Sequence, residues 1–129
     1  MSAEEVIQRN ELSTLLLRLG YNVYLPVYDH GIDLIAHREA DGDTKVIQQK
    51  SRWTIARKYL GRNIWIAFRS RGVWYLAPHD EMVAFAEAAG YTASRSWVET
   101  GLYHRAAMSK AMEEAYGPYR LVAGDTAQG

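Results

Sequence analysis

Four polar residues stand where the surrounding pattern favours apolar ones: Glu11, Asp33, Gln48 and Lys50. Glu11 falls inside an apolar helical arc, one turn after Ile7 and one turn before Leu15. A carboxylate there is desolvated unless a cation meets it, or the arc is narrower and Glu11 lies at its solvated edge. Asp33 interrupts the apolar run Ile32–His37, although aspartate is a poor strand former. Its plainer reading is a strand-entry residue bonding the turn before it. Gln48 and Lys50 are two apart and share one strand face, with the polar end of an edge strand as the alternative. Paired through a hairpin, Asp33, Gln48 and Lys50 share a face that a packed helix carrying Glu11 can approach. Two carboxylates and an amide oxygen suit a hard cation such as Mg²⁺. A lysine beside them can orient a water and neutralise charge developing on a phosphate.

The elements that must position these residues are readable from periodicity. Ser2 and Glu5 form a capping box for a helix whose arc is Ile7, Leu12, Leu15, Leu16 and Leu19, stopped by Gly20. Strands are expected at 21–25, 32–37 and 45–50, the last two forming a hairpin around Asp41-Gly42-Asp43. Residues 51–60 read as a short helix, with an ordered loop as the alternative, because their two apolar stripes lie on different sides. A second strand pair is expected at 63–68 and 72–76. A helix follows from Asp80 to Gly90, then a less regular stretch around Trp97, then a last helix from His104 to Tyr116. The order is αβββαββαα, an α/β arrangement of one sheet covered by helices. Residues 1–122 read as a single domain and 123–129 as a frayed tail.

Composition narrows the setting. Hydrophobic residues make up 48% and charged residues 23% of the 129, an ordinary globular balance. The absence of cysteine excludes disulfides and thiolate metal sites. The start, Ser2-Ala3-Glu4-Glu5, is neither basic nor apolar, and no run approaches a membrane span of about 18 apolar residues. The cytoplasm is the expected location, with no membrane partner. Net charge is zero, but its distribution is not even. From Thr44 to His79 there is no Asp or Glu, while Lys45, Lys50, Arg52, Arg57, Lys58, Arg62, Arg69 and Arg71 give that segment +8. Such a block is either a solvated face or a surface that tracks phosphates.

The helix with Glu11, the hairpin strand with Ile32-Asp33-Leu34 and the strand end Gln48-Gln49-Lys50 together resemble the PD-(D/E)XK nuclease superfamily. The glutamine form is similar to that of Mrr-type restriction endonucleases and group I intron homing endonucleases. Leu19-Gly20-Tyr21 before the first strand resembles the archaeal Holliday-junction resolvases. Two departures stand out: Gln48 replaces the usual acidic residue, and Gly31-Ile32 precede Asp33 where the motif has proline. The resemblance covers roughly residues 5–76. It implies a restriction-endonuclease-like mixed sheet flanked by helices, and an endonuclease that hydrolyses DNA with Mg²⁺ or Mn²⁺. Under it, Asp33 and Glu11 are metal ligands, Gln48 is a weaker ligand or water holder, and Lys50 is the catalytic lysine. Lys45, Arg52, Arg57, Lys58, Arg62, Arg69 and Arg71 become the DNA-tracking set. The four Trp and nine Tyr read mostly as core; Trp53, beside Arg52 and Arg57, is either one of these or a residue that stacks on an exposed base. Asp29 and His30 are accessory residues that either form the turn or touch the phosphate or metal. A homodimer is an expected assembly, since nucleases of this kind often cut as pairs. The rival reading is a catalytically impaired relative that binds nucleic acid or a protein partner without cleavage. His37, His79 and His104 are too scattered for a zinc site, and neither a Walker loop nor a Gly-x-Ser-x-Gly elbow is present.

Overall fold

The capping box forms as its spacing requires. In the computed structural model, which describes residues 1–122, Glu5 N donates to Ser2 Oγ and Ser2 N donates to Glu5 Oε1, each at 3.1 Å. The tail expected at 123–129 lies outside the described residues. Helix α1 (Ala3–Arg18) buries Leu12 and Leu16 completely, while Ile7 is exposed, so its apolar arc is narrower than the periodicity suggested.

Strands β1 (Asn22–Tyr24), β2 (Leu34–Arg38) and β3 (Asp43–Lys50) follow, and β2 and β3 form the expected hairpin with Leu34 opposite Ile47. Then come β4 (Trp53–Ala56), a 3₁₀ turn at Arg57–Tyr59, β5 (Ile64–Ser70) and β6 (Val73–Pro78). The main sheet runs β1-β2-β3-β5-β6, with β3 and β5 parallel and the other neighbours antiparallel. Helix α2 (His79–Ala89), helix α3 (Arg95–Thr100), strand β7 (Leu102–Arg105) and helix α4 (Lys110–Tyr116) complete the chain. This is the mixed sheet with flanking helices that the pattern implied.

Alternation assigns each strand residue to one of two cores. Ile47, Ala67 and Leu76 pack with Leu12 and Leu16 of α1 on one face. Ile66, Phe68 and Tyr75 pack on the other, with Trp53, Met82 and Met112 from β4, α2 and α4. Gln48 pairs with Ile66 and Lys50 with Phe68 across β3 and β5, so both project to the face opposite α1.

Two expectations fail for one reason. Residues 51–60 do not form a helix; they give β4 and the 3₁₀ turn. All four residues of β4 are buried, because this strand is sandwiched between the main sheet and the C-terminal helices. A strand covered on both sides has no period of two, and its twin apolar stripes mimic a diluted helical pattern. Its antiparallel partner is β7, from Trp53 opposite Arg105 to Ala56 opposite Leu102. That pairing takes residues 102–105 out of the expected last helix, which starts only at Lys110, capped by Ser109 Oγ accepting Met112 N. A buried histidine anchors the layer: His79 Nε2 accepts Ala56 N at 3.1 Å, and its Nδ1 lies 3.1 Å from Asp80 Oδ1. Among the described residues no helix is long and apolar enough to cross a membrane.

Candidate functional site

The end of β3 is held by a side chain from the other strand of the hairpin. Asp33 N donates to Ile47 O at 2.8 Å, and Asp33 Oδ2 accepts Gln49 N at 2.8 Å just before β2 begins. The carboxylate therefore continues the ladder beyond its last paired residue. Gln49 Nε2 reaches the opposite way, donating to Glu5 O at 3.1 Å and tying the start of α1 to the same point. Between them opens a cavity of about 560 Å³ lined by Asp33, Gln48 and Lys50, by Asp29 from the preceding turn, and by Glu4, Glu5 and Gln8 of α1.

Its electrostatics are those of a desolvated acidic pocket beside one cation. Burial pushes the Asp33 carboxyl up, the Gln49 N–H and Lys50 oppose that, and Asp29 and Glu5 add to it. Glu5 is lowered by the backbone and hydroxyl of Ser2, so it stays charged. Gln48 Oε1 is buried with no hydrogen-bond partner among the described residues, an acceptor without a donor. Lys50 Nζ sits 5.6 Å from the centroid of the Tyr59 ring. Among the described residues no three His, Cys, Asp or Glu side chains gather as a metal-holding group. A hard cation here would rest on Asp33, the Gln48 carboxamide and water, a donor set that suits Mg²⁺ or Mn²⁺ but carries little charge.

Asp33, Gln48 and Lys50 thus come together, and Glu11 does not join them. Glu11 Oε1 lies 3.9 Å from Arg69 Nη1 and 3.4 Å from Trp74 Nε1, with the side chain 47% exposed. The cause is the alternation of the sheet. Arg69 and Trp74 are cross-strand partners on the α1 face, whereas Gln48 and Lys50 point away from α1. The acidic groups that α1 does bring to the cavity are Glu4 and Glu5 in its first turn. The capping box was the sequence signal for Glu5, read there only as a helix start.

The basic block divides in two. Lys45 is bound to Asp43 and to the Tyr21 hydroxyl and lies 4.5 Å over Trp65; Arg69 pairs with Glu11, and Arg71 with Glu113 at 3.2 Å. Lys50, Arg52, Arg57, Lys58 and Arg62 have no carboxylate within 4.0 Å among the described residues. These five come from one stretch, 50–62, the end of β3 through β4 and the turn after it. Arg57 donates to Trp97 O, and Arg62 Nη2 donates to His30 O at 2.7 Å. Trp53 is corrected outright: it is fully buried in the core and has no face to offer a base. Asp29 forms the turn, its Oδ1 accepting Gly31 N at 2.9 Å and Ile32 N at 3.2 Å, and it also lines the cavity. His30 is exposed beside Arg62.

No protein-family model matches the chain, and no curated protein does. Among solved structures the chain is similar to a bacterial homing endonuclease, I-Ssp6803I, with a TM-score of 0.52 and 16% identity over 98% of this chain and 92% of that one. At that identity the likeness is one of fold: a mixed five-stranded sheet with helices on both faces, arranged as in an endonuclease.

Proposed function

We propose that the chain is a metal-dependent endonuclease that hydrolyses DNA phosphodiester bonds. The observation that carries this reading is the convergence of Asp33, Gln48 and Lys50 on one cavity, followed in the chain by four further cations, Arg52, Arg57, Lys58 and Arg62, without carboxylate partners among the described residues. The endonuclease-like fold supports it. Asp33 and the Gln48 carboxamide would hold Mg²⁺ or Mn²⁺, and when bound such an ion neutralises charge on the phosphate. The orphaned Gln48 Oε1 and the desolvated Asp33 carboxylate both fit that role, since each gains from a hard cation what burial has taken away. Lys50 orients the attacking water and stabilises negative charge as phosphorus is attacked. Glu5 and Asp29 add acidic potential around Asp33, in the place the sequence pattern gave to Glu11. Arg52, Arg57, Lys58 and Arg62 contact the sugar–phosphate backbone, which gives affinity without sequence readout.

The test is a plasmid-nicking assay with Mg²⁺ and with Mn²⁺, alongside calorimetric titration of either ion. Wild type should bind the ion and nick, Asp33→Ala should do neither, and Lys50→Ala should bind the ion and turn over slowly. A second reading, nucleic-acid binding without cleavage, is favoured by the lack of a three-ligand acidic or histidine group among the described residues. DNA binding that persists without any ion uptake or nicking in the wild type selects it.

A further inference from the structure

A second cavity of about 370 Å³ adjoins the first through Asp29, which lines both, and it is lined by Tyr28, His30, Lys58, Tyr59 and Arg62. The buried Tyr59 lines it, and two cations approach that ring: Lys58 Nζ is 5.3 Å and Lys50 Nζ 5.6 Å from its centroid, Lys58 lining this cavity and Lys50 the first. Arg62 is held against the turn by its bond to His30 O. Gly31 makes room for this. It has φ +82°, and a Cβ there would stand 3.1 Å from Arg62 Nη1. Lys58 and Arg62 are both exposed, with no carboxylate within 4.0 Å among the described residues. At the rim, Tyr28 is 75% exposed, and the Tyr28 and His30 rings lie 5.6 Å apart; Val27, its neighbour in sequence, is fully exposed. A large aromatic left in water beside paired cations matches what a nucleotide offers: an anionic phosphodiester and, next to it, a flat apolar base.

We infer that this cavity is a nucleotide subsite, in which Lys58 and Arg62 hold one backbone phosphate and Tyr28 stacks on an unpaired base beside it. The inference rests on the DNA reading above and deepens it by naming the substrate's form. A base inside an intact duplex has both faces covered by its neighbours, so Tyr28 can stack only on one that has left the helix. The occupant is therefore DNA with an unpaired nucleotide, bound next to the Asp33 cavity. Charge complementarity favours this polyanion over a protein partner for the apolar rim.

The experiment is fluorescence anisotropy on the full chain in EDTA, so that it does not depend on cleavage. The probes are a labelled single strand, a perfectly paired duplex and a duplex with a single-nucleotide bulge. Wild type should prefer the bulged duplex and the single strand over paired DNA. Tyr28→Ala should weaken binding to those two by about tenfold and leave paired DNA unchanged, while Tyr28→Phe keeps the preference. Lys58→Ala should weaken all three and lower the salt slope by about 1. Wild-type binding to DNA with no effect of Tyr28→Ala on the bulged probe overturns the subsite and leaves the DNA reading standing. Failure of wild type to bind any probe overturns both.

Discussion

Asp33 Oδ2 accepts the main-chain N–H of Gln49 at 2.8 Å, so the residue proposed to hold a metal also closes the end of the β2–β3 ladder. The two roles pull against each other. The hydrogen bond needs only an oxygen acceptor, while the charge is desolvated and pressed by Asp29 and Glu5. The folded-state pKa is raised above 3.8, so stability from this group is fully present below that value and is lost as pH rises through the folded pKa. At neutral pH the charged Asp33 is a net cost. Asp33→Asn keeps an acceptor for Gln49 N and removes the charge. It should raise the melting temperature by a few degrees at pH 7, an advantage that disappears in acid, while abolishing nicking. Equal or lower stability of the variant at pH 7 would show that the carboxylate is not strained by its site.

Glu11 and Arg69 approach to 3.9 Å with about half of the glutamate side chain in water, a pair that contributes less than about 1 kcal/mol. Glu11→Ala should therefore melt close to wild type and bind Mn²⁺ unchanged, in contrast to Asp33→Ala. Calorimetric titration of the two variants side by side decides it. Loss of ion binding in Glu11→Ala would put its carboxylate in the ion's shell after a rearrangement of α1.

The contrast between Glu11 and Asp33 also marks what the sequence carried. Asp33, Gln48 and Lys50 were legible because strand periodicity and a hairpin turn are local, and one register places all three residues. Glu11 was legible as an anomaly but not in its direction. Which face of the sheet α1 covers is a tertiary fact, decided by Leu12 and Leu16 meeting Ile47 and Ala67. Trp53 failed for the same kind of reason. Basic neighbours at Arg52 and Arg57 suggested a surface, but β4 is sandwiched between the main sheet and helices that lie far along the chain. The charge block was visible, yet its division was only partly so: Asp43 stands two residues from Lys45 in the same strand, whereas Glu11 and Glu113 reach Arg69 and Arg71 from helices distant in the chain.

His79 supplies a pH dependence away from the cavity. It is fully buried, and its Nε2 must be unprotonated to accept Ala56 N. Burial lowers its pKa below 6.5, and the nearby Asp80 only partly opposes that. With the folded pKa depressed, the stability it contributes is present above pH 6.5 and is lost as pH falls toward the folded value. Thermal melts should fall through mildly acidic pH. His79→Gln, which keeps an acceptor near Ala56 N but cannot titrate, should be less stable at pH 7 and flatter below it. Parallel pH profiles for the two proteins would remove His79 as the source.

Gln48 offers the sharpest separation of enzyme from binder. Its Oε1 is buried without a hydrogen-bond partner among the described residues, and Gln48 lines the same cavity as Asp33. Gln48→Glu places a second carboxylate there at almost unchanged volume. Without an ion, two desolvated carboxylates repel, so the variant should melt below wild type in EDTA. With Mn²⁺ the repulsion becomes attraction, so the ion should raise its melting temperature more than it raises that of wild type. Tighter calorimetric binding should accompany that rise, and nicking should appear or increase as long as Lys50 is intact. Lys50→Ala in the Gln48→Glu background should keep the ion-dependent stabilisation and lose the nicking, because the lysine acts on the transition state rather than on the ion. If Gln48→Glu is destabilised equally with and without Mn²⁺, and nicks no more than wild type, Gln48 does not face a metal. The cavity would then serve binding alone.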